Sequence, residues 1–127
     1  MDVAGTARAA LMAGRVVVGG GTLVAPRRMG AVFGVEAEHN PAVSYVGRLF
    51  GVRALLQVAL LGTAGSDDRA RQLRWGVAVD LVDAAAAAAA GRDGDLSRRA
   101  AALAGAAALA EAGLGCLALA ADRPHCR

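Results

Sequence analysis

Residues 41–63 read PAVSYVGRLFGVRALLQVALLGT, and this stretch decides the fold class. About 23 residues at ~1.5 Å rise reach roughly 34 Å, slightly more than the hydrocarbon core of a bilayer. Asn40 and Pro41 suit an N-cap and a first helical position. The run is apolar, yet it carries Arg48 and Arg53. Arginines inside a membrane helix need partners on neighbouring helices. The rest of the chain must supply them.

Composition agrees with a membrane protein while leaving water open. The chain is 56% hydrophobic but only 3% aromatic, and its 127 residues suit one domain. The apolar side chains are mainly Ala, Val and Leu, punctuated by 17 Gly, and all 14 basic residues are Arg. An Arg-only, Ala-rich alphabet points to a GC-rich bacterial gene. The mean hydropathy of +0.43 fits either a membrane bundle or an alanine-rich soluble one. The net charge is +3, but the arginines are spread out and most stand beside Asp or Glu. Without a basic stripe interleaved with aromatics, nucleic acid is not an expected partner.

Four apolar runs follow one another. The first, about 6–25, is ended by Pro26 and Arg27–Arg28, and residues 29–39 read as a short interfacial connector. Asp2 and Arg15 spoil a secretory signal, so this segment is read as retained. The second run is 41–63. The third, about 74–90, opens on Trp75, suited to a membrane interface, and ends in seven alanines before Gly91. The fourth, about 99–121, holds one strong charge, Glu111. A soluble amphipathic helix keeps one polar side, and this run has none. The expected fold is therefore all-α, a single four-helix transmembrane bundle with short charged connections.

An even number of spans puts both termini on one side. That side would carry Arg8, Arg69, Arg71, Arg74, Arg123 and Arg127, against Arg27, Arg28, Arg92, Arg98 and Arg99 opposite. The positive-inside rule then favours cytoplasmic termini in a bacterial inner membrane by a single residue.

Centring each run in the bilayer brings the charges to a common depth. Arg15, Arg53, Asp80, Asp83 and Glu111 fall near the middle, with Arg48 about 6 Å away at ~1.5 Å per residue. Each unpaired charge there costs about 2.5–3.5 kcal/mol, so the six should pair. Asp80 and Asp83 are i,i+3 neighbours on a stripe that Gly76 and Ala87 continue, small enough to admit a helix and its arginine. Gln57, one turn beyond Arg53, extends the candidate cluster. Gly47 and Gly51 form a Gly-x-x-x-Gly pair suited to close helix packing, within the chain or between copies.

Other chemistries find little footing. His39 reads as a solvated interfacial residue, Cys116 as a small hydrophobe, and Cys126 as part of a polar tail; no metal-ligand spacing is present. Gly19–Gly20–Gly21 lacks the lysine of a phosphate loop. No catalytic Ser/His/Asp or Cys/His set stands out, so no catalytic residue is assigned and an enzyme is not the expectation.

Gly14–Arg15, Pro26, Arg48-x-x-Gly51-x-Arg53 and the pair Asp80/Asp83 come in an order that resembles small four-helix membrane proteins common in actinobacteria, broadly DoxX/DoxD-like. The resemblance implies a bacterial membrane protein; most such proteins have no assigned activity, and some relatives are partner subunits linked to quinone-associated electron transfer. No haem-ligand pair or Cys-x-x-Cys accompanies it here, and no cofactor is assigned. The leading expectation is a structural or accessory membrane subunit, whose partners are the bilayer and another subunit or a second copy. The alternative is a small-molecule or proton-handling membrane protein, and the third reading is a soluble alanine-rich bundle.

Overall fold

The computed structural model describes residues 2–38 and 40–122, so the readings of His39, Cys126, Arg123 and Arg127 lie outside it. The described residues form five helices and no strand: α1 (Val3–Val24), α2 (Pro26–Val32), α3 (Ala42–Thr63), α4 (Ser66–Asp93) and α5 (Arg98–Ala121). Four are long, and the fifth element is the seven-residue α2.

Local chemistry sets the helix ends. The Asp2 carboxylate accepts from the Gly5 N–H at 3.0 Å, and Ser97 Oγ accepts from the Ala100 N–H at 3.1 Å. Asn40 Oδ1 accepts from the Ala42 N–H at 3.0 Å, with Pro41 as the cap residue of α3. α4 begins about two turns earlier than the apolar run suggests. Asp67 and Asp68 occupy its first turn, where carboxylates complement the helix dipole, and Gly94 at φ 85° ends it. α2 occupies what the sequence presents as the end of a helix and a connector. Pro26 stands in its first turn, where the missing N–H costs nothing, so it breaks α1 and starts the next helix.

The long helices run alternately up and down. α1 packs against α3 on one side and α5 on the other, α4 lies along α5, and α3 meets α4 over a short stretch only. α1 and α4 therefore face each other across the diagonal. Small residues bring the packed pairs close. A Cβ on Gly51 would lie 2.5 Å from the Gly19 carbonyl oxygen, and one on Gly47 would lie 3.1 Å from Pro26 Cβ. The Gly47/Gly51 pair thus joins α3 to α1 within the chain. Gly115 sits against Val77 and Gly91 against Ala101, which registers α4 and α5 along most of their length.

The interior is built from small side chains, and many large apolar ones are left on the outside. The buried set is dominated by alanines and glycines and includes two charged residues, Arg15 and Asp80, each 3% exposed. Its large apolar members, Leu11, Leu61 and Leu73, gather at one end with Ala7 and Ala118. On the outside stand Val17, Val24, Tyr45, Val46, Leu49, Val52, Leu56, Trp75, Val82, Leu109 and Leu117. Cys116 is also exposed, on α5 beside Leu117.

Candidate functional site

Three helices deliver charges to the centre of the bundle. Arg15, midway along α1, crosses the diagonal toward α4: its Nη2 donates to Asp80 Oδ2 at 2.6 Å, and its Nε donates to Glu111 Oε2 of α5 at 3.1 Å. The guanidinium lies over Gly76, where a Cβ would come 3.2 Å from both terminal nitrogens. Gly76 is therefore the space that admits Arg15. Both partners of the central pair are inaccessible, at 3% and 4%, while Glu111 is 22% exposed.

The second pair closes the loose seam between α3 and α4. Arg53 Nη1 donates to Asp83 Oδ1 at 2.9 Å and Nη2 to Asp83 Oδ2, a two-pronged bridge. Its guanidinium also stacks 5.0 Å from the Phe50 ring centroid. This pair is half-buried, 41% and 26% exposed, as expected where two helices barely touch. No buried side-chain nitrogen or oxygen among the described residues lacks a hydrogen-bond partner.

Two members of the sequence-derived cluster stand apart. Arg48 is exposed and borders a different recess, with Arg27 and Arg28. The reason is register: Gly47 lies beside Pro26, so Arg48 is level with the end of α1 rather than with its middle. Gln57 is partly buried, and the side-chain hydrogen bonds of Arg53 go to Asp83 instead. The central charge balance changes accordingly. Two guanidinium groups face three carboxylates, instead of three facing three.

Above this layer the helices part around a half-open cleft. A cavity of about 540 Å³ extends from Asp80, Asp83 and Glu111 toward the α2 end. Its walls are small or apolar: Val18 and Thr22 from α1, Val46 and Phe50 from α3, Ala86, Ala87 and Ala90 from α4, and Ala104, Ala107 and Ala108 from α5. Met29 and Gly30 of α2, with Phe33, Val35 and Asn40 after it, line the far end, and the cleft stays half open. The alanine tract of α4 and the alanines of α5 leave this volume because their side chains are too short to meet across it. No signal in the sequence reveals it, since it depends on which helix pairs stay apart. Among the described residues no group of His, Cys, Asp and Glu is arranged to hold a metal ion. A cleft of this size with largely apolar walls, the carboxylates at one end and Thr22 and Asn40 toward the other, has the dimensions of a small-molecule site.

No family model, curated protein or solved structure matches the chain, so the DoxX/DoxD-like resemblance rests on its short motifs alone.

Proposed function

We propose that the chain is an integral membrane protein whose four long helices span the bilayer and whose central cleft holds a lipophilic small molecule against a charged floor. The membrane part of this reading is supported by the many large valines and leucines exposed along the long helices, with Arg15 and Asp80 buried between them. α1, α3 and α5 are each long and apolar enough to cross a membrane. α4 fails that test on composition because of its charges, yet it runs beside α5 from Gly91 to Val77. A span of α5 therefore carries α4 with it, and Asp80 and Asp83 are neutralised by arginines inside the bundle. The aromatic residues agree. Trp75 lies five residues before Asp80 and Tyr45 two before Gly47; both are exposed. Through the α1 register they stand about 18 residues apart in depth, roughly 27 Å at ~1.5 Å per residue, close to a hydrocarbon core.

The cavity is the observation that carries the functional half of the reading. Ion pairs that merely fix helix rotation need no empty volume beside them, and interiors are otherwise close-packed. The floor has one more carboxylate than guanidinium, so an apolar ligand with a cationic or hydrogen-bond-donating head fits it best. A purely structural, accessory-subunit role is the second reading, favoured by the fully buried and satisfied Arg15–Asp80 pair. Competition by candidate ligands against an environment-sensitive apolar dye in detergent separates the two. Dye binding that Ala104→Leu and Ala108→Leu abolish, with the fold kept, supports the cleft. Dye binding unaffected by both leaves the structural role.

Positive charge no longer orients the bundle, because placing Arg48 at the α2 end brings six arginines to each side. Both termini on one face remains the expectation, with cytoplasmic termini as the proposal.

A further inference from the structure

Three arginines outside the charged floor meet at the α2 end. Arg27 and Arg28, at the start of α2, and Arg48 on α3 border an open recess of about 480 Å³ together with Ala25, Pro26 and Ser44. Arg27 Nε donates to Ser44 Oγ at 3.4 Å, which ties the short helix to α3. No acidic residue lines the recess, and none of the three guanidinium groups forms an ion pair with a described carboxylate. Three like charges around one opening repel one another, and more strongly beside hydrocarbon than in water. A compact anion relieves that repulsion, and guanidinium forks match phosphate oxygens two at a time.

The surroundings specify which anion. Tyr45 and Val52 lie one turn either side of Arg48, Val24 precedes the recess on α1, and all three are exposed. A soluble phosphate leaves this apolar apron bare, whereas a phospholipid covers it with its acyl chains. We propose that Arg27, Arg28 and Arg48 hold the phosphate of an anionic phospholipid, with its chains laid along the outer face of α3. This site rests on the membrane reading and adjoins the central cleft at Pro26. The recess is level with the end of α1, the depth at which headgroups lie.

The test uses the full chain, first in membranes and then in mild detergent. The wild-type protein must remain in the membrane pellet after an alkaline carbonate wash; release there overturns the membrane reading and this site with it. Native mass spectrometry with equal amounts of phosphatidylglycerol and phosphatidylcholine then reads the bound-lipid ratio. The expected result is preferential retention of phosphatidylglycerol, weakened about fivefold by each of Arg27→Gln, Arg28→Gln and Arg48→Gln and lost in the triple variant. Arg74→Gln, at the opposite end, should keep the preference. Inorganic phosphate and glycerol phosphate at millimolar concentration should not displace the lipid. A pelleted protein without lipid preference overturns the lipid site alone, as does a triple variant that keeps the preference. Displacement by inorganic phosphate would reassign the recess to a soluble anion.

Discussion

Arg15 of α1 and Asp80 of α4 are joined at 2.6 Å across the diagonal of the bundle, between two helices whose backbones do not touch. The pair is a tie-rod: it sets the rotation of both helices at once, with Glu111 steadying the same guanidinium from α5. Losing Arg15 strands the Asp80 carboxylate inside the bundle, whereas losing Asp80 leaves Arg15 with Glu111 alone.

Arg15→Met, which orphans Asp80, should lower thermal stability in detergent by roughly 3–5 kcal/mol, and Asp80→Asn should cost less, because Glu111 still holds the guanidinium. The double variant should recover much of that loss. In a second cycle, Asp80→Asn and Arg53→Met should be additive within about 0.5 kcal/mol, because the two residues belong to different pairs.

Exchanging both partners of the Arg53–Asp83 bridge, Arg53→Met with Asp83→Asn, should cost at most about 1 kcal/mol, because no charge is left stranded. Its effect should appear instead in the spacing of α3 and α4. Spin labels at Val52 and Val82 should report a broader distance distribution in the double variant than in the parent.

Glycines give a sharper contrast. Gly51→Ala puts a Cβ 2.5 Å from the Gly19 carbonyl and should destabilise by about 1–3 kcal/mol as α1 and α3 are forced apart. Gly14 and Gly20 have nothing within 4 Å of an added Cβ. Alanine at either position should be neutral or raise stability by up to about 1 kcal/mol, as helix propensity dictates. Thermal melts of the three variants decide the matter.

Much of this arrangement was legible in the residues. The depth of Arg15, Arg53, Asp80, Asp83 and Glu111 along their runs foretold a charged layer, and Gly76 foretold where an arginine could enter. Which arginine takes which acid was not legible, because pairing depends on helix order around the bundle. Arg48 was misplaced for a related reason: centring each run assumes that helices end level, whereas α3 extends past the end of α1 beyond Pro26. α2 was hidden by the double meaning of proline, which ends one helix and starts another. The early start of α4 was hidden by its charge, since Ser66–Arg74 is helical without being apolar.

Topology tests the proposed four crossings. Reporters fused at the two ends of the chain should give the same location, since four crossings return the chain to its starting side. Opposite locations would mean that one long helix, α4 being the most charged, does not cross.

In the proposed bundle the valine- and leucine-rich exterior faces lipid while the Arg15–Asp80 pair stays inside. Fractionation without detergent, followed by alkaline carbonate extraction and ultracentrifugation, tests it most directly. The protein is expected in the membrane pellet, released by detergent and not by carbonate. A chain that stays in the supernatant as a monodisperse species would contradict the account, because that exterior would then have to be stable in water.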